Sequence, residues 1–270
     1  MRKVVLFMRY FQVNVRDYPT EYGFIPSLQL YLVEKSDNPR PIVIIAPGGG
    51  YTKLVDSDRD RIALQYNAAG FHAAVLNYSV EPHHFPEPQQ DLLLAIQLVR
   101  EHAQEWGILE NGIAICGFSA GGHLCASVST LWHKLGDEKC RPNAAILCYA
   151  ILTSKLNHCR MFLKDHVGYD DAERLKLVSC DEQISKYTPP TFLYNTFEDS
   201  LTNVENVLYY AENLKKHEIP FEMHIFPKGG HGESWCDGTI WATPMRSRDY
   251  NYIRISIEWM RELFGLMEAK

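Results

Sequence analysis

The chain of 270 residues is 46% hydrophobic and 22% charged, which is the composition of a globular protein with a sizeable buried core. Its formal net charge of −6, without any run of Lys or Arg, argues against nucleic-acid binding. The length fits a single domain over residues 1–270.

The amino-terminal apolar run, residues 4–8, is too short for a secretory signal, and no stretch approaches the roughly 18 apolar residues of a membrane span. The seven cysteines are scattered without a C-x-x-C pair, which argues against a disulfide framework or a zinc site. These features predict a protein of the reducing cytoplasm that has no membrane partner.

Hydrophobic periodicity predicts strands that alternate with helices. The predicted strands are residues 4–8, 28–33, 42–46, 71–79, 112–116, 143–152, 191–196 and 221–227, and the predicted helices are residues 58–69, 89–106, 123–135, 203–216 and 250–267. This alternation predicts an α/β fold, with a mostly parallel central sheet and helices on both faces. Residues 153–188 are polar and lack a clear strand, so they are predicted to form a small cap at or beside the carboxyl ends of the strands.

The segment GFSAG, residues 117–121, fits the pattern G-x-S-x-G between a predicted strand and a predicted helix. A strand-to-helix turn this sharp accepts only small residues two positions before and after Ser119, and it presents the serine oxygen at the start of a helix. Ser119 is therefore the predicted nucleophile. The alternative is a glycine-rich corner with a purely structural role.

A serine nucleophile needs a general base and an acid that orients this base, and in hydrolases with such a turn the acid precedes the histidine. His231 lies in the loop GGHGE after a predicted strand, so its imidazole can reach across the strand ends; a loop histidine without a catalytic role is the alternative. Asp199, in the turn after the strand at 191–196, is the favoured acid. Glu198 is its main rival, and a role for Asp199 at a helix start is the other alternative.

The segment PGGGY, residues 47–51, follows the buried strand at 42–46. Its glycines let backbone amides approach a ligand, and the amides of Gly49, Gly50 and Ala120 are predicted to stabilise an oxyanion. A phosphate cradle is the competing interpretation, but the chain lacks both the lysine-serine of a P-loop and a G-x-G-x-x-G motif that opens a helix.

In this order, the segments APGGGY, NYSVEPHHFP, GFSAGGHL, NTFEDSLTNVEN and FPKGGHG make the chain resemble the esterase/lipase superfamily of α/β hydrolases, and more narrowly its acetylxylan-esterase-like branch of sugar esterases. The resemblance implies an α/β-hydrolase fold, the triad of Ser119, Asp199 and His231, and the oxyanion hole named above. Pro47 departs from the family pattern, because related esterases carry there a histidine that steadies the glycine loop; the rigidity of proline is expected to replace it.

The resulting hypothesis is a serine carboxylic-ester hydrolase for short-chain acyl esters, acetyl esters of sugars or xylo-oligosaccharides in particular, without a metal or an organic cofactor. A prolyl-oligopeptidase-type peptidase and a non-catalytic ligand-binding protein are the alternatives. The predicted partner is a small-molecule ester, and the sequence leaves a homodimer open.

Aromatic residues near the predicted centre are candidates for the substrate pocket: Tyr51, Phe118 and Trp235. The alternative for each of these three residues is a position in the hydrophobic core. Tyr78 and Trp241 are further aromatic residues of this region, and for them the core is the favoured interpretation. His83 and His84, in a proline-rich loop, are expected to be a solvated pair, with a place at the pocket mouth as the alternative.

Overall fold

An eight-stranded sheet runs through the described part of this computed structural model, which comprises residues 8–34, 38–168, 171–232 and 252–266. The strands are β1 (Met8–Asn14), β2 (Ser27–Val33), β3 (Arg40–Ala46), β4 (His72–Asn77), β5 (Ile108–Phe118), β6 (Ala144–Cys148), β7 (Thr191–Thr196) and β8 (Phe221–Phe226). Their order is β1-β2-β4-β3-β5-β6-β7-β8. β2 pairs antiparallel with both β1 and β4, and all other neighbours are parallel.

Helices follow most of the parallel strands. Those in the described ranges are α1 (Asp60–Ala68), α2 (Glu87–Glu101), α3 (Ala103–Trp106), α4 (Ala120–Leu135), α5 (Asn157–Val167), α6 (Ala172–Val178), α7 (Glu205–Lys216) and α8 (Tyr252–Leu263). None of them has the length and apolar character that crossing a membrane requires.

The side chains of β3 alternate between two hydrophobic layers. Ile42 and Ile44 point to the layer that contains residues of α2, α4 and α7, whereas Val43 and Ile45 point to the layer that contains residues of α1 and α8. All four side chains are fully buried, as expected of a parallel strand that is covered on both faces. The predicted mostly parallel sheet between two helical layers is confirmed.

Of the predicted strand 4–8, residues 4–7 lie outside the described residues, and Met8 belongs to the edge strand β1. The apolar pattern does not mark the rest of β1, because most of its side chains are exposed. One helix differs from the sequence pattern. The predicted helix 89–106 is interrupted at His102, where the backbone leaves the helical region (φ −98°, ψ 9°). There the imidazole Nδ1 bonds the Leu98 carbonyl oxygen (3.0 Å), a local contact that competes with continuation of the helix.

The cap segment, residues 153–188, contains α5 and α6 and no strand in its described residues. The two helices bury Leu163, Val167, Leu175 and Val178 in a small hydrophobic cluster. This cluster also holds Ile151, from the loop after β6, so the segment is packed onto the carboxyl side of the sheet.

A buried ion pair ties the chain after β1 to α2. Arg16 donates to Asp91 Oδ1 (3.1 Å) and to Glu87, and Asp91 Oδ2 accepts the amide of Ser79 (2.8 Å), just after β4. Burial raises the pKa of Asp91 to about 6, against the lowering effect of Ser79 and Arg16. The carboxyl group therefore depends on both partners to remain charged inside the protein.

Replacing Arg16 should expose this dependence. We expect Arg16→Leu to lower the free energy of unfolding by about 3 kcal/mol, because the substitution leaves a buried carboxylate without its cation. Arg254→Leu, which removes the partner of Glu258 in an exposed pair, should change it by less than about 0.5 kcal/mol. Urea unfolding at neutral pH compares the two, and equal losses would contradict the role given to Asp91.

Candidate active site

Ser119 connects β5 to α4 through a strained backbone conformation (φ 53°, ψ −115°). The flanking glycines are required by backbone contacts: a Cβ atom on Gly117 would lie 2.1 Å from the Gly121 carbonyl oxygen. A Cβ atom on Gly121 would lie 2.1 Å from the carbonyl oxygen of Ala46, at the end of β3. The steric reason that the sequence suggests for G-x-S-x-G is therefore present on both sides of the serine.

Three predicted side chains meet at the carboxyl ends of the parallel strands. His231 lies after β8 and Asp199 after β7, and the imidazole Nδ1 is 2.9 Å from Asp199 Oδ2. Because a carboxylate only accepts, Nδ1 carries the proton and Nε2 is left to accept from the Ser119 hydroxyl at 2.9 Å. The structure thus brings Ser119, His231 and Asp199 into one hydrogen-bonded chain, and their catalytic role stays a prediction.

Asp199 is held by four donors. Its Oδ1 accepts the amides of Leu201 and Thr202, both at 2.9 Å, and its Oδ2 accepts from His231 and from the Thr202 hydroxyl (2.8 Å). Burial would raise the pKa of this carboxyl, but the hydrogen bond and the electrostatic interaction with His231, together with the hydrogen bonds from Thr202, outweigh it and leave the pKa below its ordinary value. Asp199 is therefore a fixed, ionised partner for the imidazole.

Glu198, the rival acid, faces the other way. Its carboxylate pairs with Lys228 and accepts the Gly229 amide (3.3 Å), and 43% of its side chain is exposed. The structure places Asp199, and not Glu198, beside His231.

The glycine loop after β3 borders the same space. Gly49 and Gly50 line a cavity together with Ser119, and Ala120 is the first residue of α4, where backbone amides have no partner within the helix. Gly49 has a φ of +129°, and a Cβ atom there would lie 2.0 Å from the Lys53 carbonyl oxygen. The loop conformation is available to glycine alone at this position.

Hydrogen bonds hold this loop beside Pro47, where proline rigidity was the only support expected. The Tyr78 hydroxyl donates to the Pro47 carbonyl oxygen (2.6 Å), and the Gly48 amide donates to Asp58 Oδ2 (2.9 Å). Asp58 is buried, although the sequence pattern places it only at the start of a helix. Its side chain faces back to the loop from a separate turn before α1, a contact that no local periodicity signals.

The cavity above Ser119 has a volume of about 390 Å³. One end is formed by the glycine loop, Ser119 and His231. The remaining wall is largely apolar and includes Val55, Tyr149, Ile151, Cys159, Phe162 and Leu201. A cavity of this kind accommodates a small apolar group next to the serine hydroxyl.

Of the predicted pocket residues, the two that lie within the described ranges, Phe118 and Tyr51, do not line this cavity. Phe118 is fully buried and packs against Tyr149 and Tyr252, so it belongs to the core behind the serine. Tyr51 is buried and lines a neighbouring cavity instead. Trp235 lies outside the described residues. For Phe118 the pocket prediction is corrected to a position in the core, and for Tyr51 it is corrected to a position on the neighbouring cavity.

The sequence and the fold of the chain are similar to those of known proteins. A family model described as BD-FAE matches residues 28–146. An acetyl ester-xyloside bifunctional hydrolase from Caldicellulosiruptor lactoaceticus, with a crystal structure, is 33% identical with a TM-score of 0.82, over 95% of this chain and 97% of that chain. An α/β-hydrolase enzyme from a Medee basin deep-sea metagenome library is 29% identical with a TM-score of 0.78, over 96% and 98% of the two chains. The fold is thus that of the α/β hydrolases, as predicted.

Two relatives narrow the class. Endo-1,4-β-xylanase B of Butyrivibrio fibrisolvens is 32% identical over 82% of this chain and 36% of its own length. Acetylxylan esterase of Xylanibacter ruminicola is 30% identical over 73% of this chain and 42% of its own length. The chain therefore spans less than half of either relative. Together with the Caldicellulosiruptor hydrolase, these matches show that the chain belongs to the esterase branch of the α/β hydrolases.

The glycine contacts at the serine turn predict a position-specific effect. We expect Gly121→Ala to destabilise the protein by about 3 kcal/mol or more, because its Cβ atom would overlap the end of β3. Gly230→Ala is the matched control, since a Cβ atom there would meet nothing within 4 Å. Urea unfolding distinguishes the two, and a harmless Gly121→Ala would show that the backbones are not in this contact.

Asp58 should be needed to position the glycine loop. We expect Asp58→Ala to lower kcat/KM for p-nitrophenyl acetate by about ten- to a hundredfold, because the Gly48 amide loses its partner and the loop shifts. Asp56→Ala, an exposed residue of the same turn, should leave the rate within about twofold. Equal rates for the two variants would show that Asp58 is not needed to position the glycine loop.

Proposed function

We propose that the protein is a serine carboxylic-ester hydrolase that acts on short-chain acyl esters, acetyl esters of sugars or xylo-oligosaccharides in particular. The observation that carries this proposal is the hydrogen-bonded chain from Ser119 through His231 to Asp199, next to a glycine loop and a small cavity. A hydroxyl, a base and an orienting acid at these distances are the parts that acyl transfer to serine requires.

In the proposed reaction, Ser119 Oγ attacks the ester carbonyl carbon while His231 Nε2 takes the hydroxyl proton. The carbonyl oxygen becomes an oxyanion beside the amides of Gly49, Gly50 and Ala120, which stabilise it. The carbon–oxygen bond to the alcohol then breaks, and His231 gives its proton to the departing oxygen. A water molecule attacks the acyl-serine with the same base, and the acid leaves as Ser119 recovers its proton.

Asp199 supports this cycle as a permanent anion. The imidazole becomes positively charged when it holds the serine proton, and an ionised carboxylate on Nδ1 stabilises this charge. Because the pKa of Asp199 lies below its ordinary value of 3.8, the anion persists through the neutral and mildly acidic range and is lost only at lower pH.

The cavity is suited to a short acyl group. Its volume of about 390 Å³ includes the space at the serine itself, and residues of α5 contribute to its apolar wall. An acetyl group fits this space, whereas a long acyl chain needs a broader apolar surface. The names of the Caldicellulosiruptor hydrolase and the Xylanibacter esterase, which refer to acetyl esters and acetylxylan, favour the same acyl group.

Removal of the serine hydroxyl tests the mechanism. We expect Ser119→Ala to lower kcat for p-nitrophenyl acetate by about 10⁴–10⁶-fold, because the nucleophile is lost. Undiminished turnover by this variant would falsify the mechanism. A proline-containing amide serves as a second substrate, and faster cleavage of the amide than of the acetate would favour the peptidase alternative.

The two acids give a matched pair of variants. We expect Asp199→Asn to lower kcat by about 10⁴-fold, because the amide favours the wrong imidazole tautomer. Glu198→Gln should lower kcat by less than about threefold, since it removes an exposed pair with Lys228 and keeps an oxygen that can accept the Gly229 amide. The reverse result would assign the acid to Glu198.

A further inference from the structure

A second cavity, of about 500 Å³, adjoins the catalytic cavity. Gly50 and Phe162 line both, so the two spaces meet at the glycine loop and α5. In contrast to the apolar wall near Ser119, the wall of the second cavity has mostly polar side chains. Its lining residues include Thr52, Glu81, His84, Lys164 and Asp165, together with the aromatic Phe162. The mechanism proposed above uses none of them.

Hydrogen bonds between its walls fix the shape of this second cavity. The Glu81 amide donates to the Tyr51 carbonyl oxygen (2.6 Å), which joins the proline-rich loop to the glycine loop. The Phe85 amide donates to the His166 carbonyl oxygen (3.0 Å), which joins the same loop to α5. The cavity is therefore formed before any ligand binds, as is usual for ligand sites.

His83 contributes to this rigidity. Its two ring nitrogens bond the Val80 carbonyl oxygen (2.6 Å) and the Thr20 hydroxyl (2.7 Å), and the residue is buried. The expectation of a solvated pair is therefore wrong for His83, whereas His84 is exposed and lines the cavity.

The two buried imidazoles beside the second cavity, those of His123 and His166, are uncharged. The Tyr51 ring stacks on His166 (ring centroids 3.8 Å apart), and its hydroxyl donates to His123 Nδ1 (2.8 Å). Burial lowers the pKa of His123 to about 4, and burial also holds the pKa of His166 well below its usual range. Both imidazoles are neutral at neutral pH, so the formal charges along the wall are those of Glu81, Asp165 and Lys164.

This set of groups fits a polyhydroxylated, uncharged ligand. Carboxylates only accept hydrogen bonds and an ammonium group only donates them, whereas neighbouring sugar hydroxyls do both. The ring of Phe162 offers an apolar surface to the carbon–hydrogen face of a sugar. Two carboxylates against one ammonium group disfavour phosphorylated or carboxylated ligands.

We infer that the second cavity is a saccharide subsite that holds the sugar part of the ester while the acyl group lies in the catalytic cavity. This inference rests on the function proposed above. Because Gly50 and Phe162 border both spaces, the ester extends from the catalytic cavity past Gly50 into the second cavity, and the alcohol that leaves after attack by Ser119 is the sugar held there. Glu81 and Asp165 are then residues that determine the preference for the alcohol part.

Paired substrates test the subsite. The two substrates are acetylated xylotriose and p-nitrophenyl acetate, and the variants are Glu81→Ala, Asp165→Ala and the double variant. We expect the ratio of kcat/KM for acetylated xylotriose to kcat/KM for p-nitrophenyl acetate to fall about tenfold for each single variant, because each removes a charged hydrogen-bond partner of the sugar. Glu105→Ala, which removes an exposed carboxylate of α3, is the matched control and should keep the ratio within about twofold.

Binding provides a second measurement that needs no turnover. In the Ser119→Ala background, titration calorimetry should show acetylated xylotriose binding about tenfold more weakly when Glu81 or Asp165 is replaced. If either alanine variant fails to fold, Glu81→Gln and Asp165→Asn replace it, and the ratio should fall in the same direction.

The outcomes separate the two proposals. An unchanged ratio in the double variant, or a wild-type protein that hydrolyses p-nitrophenyl acetate but neither hydrolyses nor binds acetylated xylotriose, overturns the saccharide subsite and leaves the esterase mechanism standing. Full activity of Ser119→Ala on both substrates overturns the mechanism instead. Tighter binding of a sugar phosphate than of xylotriose would overturn the inference that the second cavity binds an uncharged saccharide.

Discussion

The contact between the first turn of α4 and the end of β3 is the constraint on which the site depends. Gly121 lies so close to the Ala46 carbonyl oxygen that no side chain fits between them, and the same closeness brings the glycine loop next to Ser119. A helix set farther from the sheet would relax the φ of +53° at Ser119 and move its hydroxyl away from the imidazole. The strain is held because β5 is paired on both sides by parallel strands.

Buried polar groups then orient the parts that this contact brings together. Asp199 is fixed by Thr202 and two amides before it reaches His231, and Asp58 fixes the Gly48 amide on the opposite side of the cavity. Each carboxylate is buried with its donors already in place. Asp199 thus orients the imidazole of His231, and Asp58 orients the glycine loop on the opposite side of the cavity.

The sequence predicts those features that local geometry dictates. The strand at 42–46, the serine turn and the loop histidine each carry a signal within a few residues, namely an apolar run, small neighbours or flanking glycines. Asp58 carries no such signal, because its partner Gly48 lies across a turn and its side chain reads equally well as a helix start. The pocket could not be read from aromatic content, since Phe118 and Tyr51 point away from the serine and the actual wall comes from the segments after β6 and β7.

The three hydrogen-bonded side chains and the walls of the two cavities come from different elements. Ser119, Asp199 and His231 follow β5, β7 and β8, whereas α5 lines both cavities and the proline-rich loop lines the second one. Phe162 of α5 lines both cavities, so a shift of this one helix would alter the acyl space and the polar space together. α5 packs through Leu163 and Val167 in its own small cluster, and through Phe162 also against the larger core layer. In the proposed reaction, α5 and the proline-rich loop contact the ester, whereas the reacting side chains follow the ends of the strands.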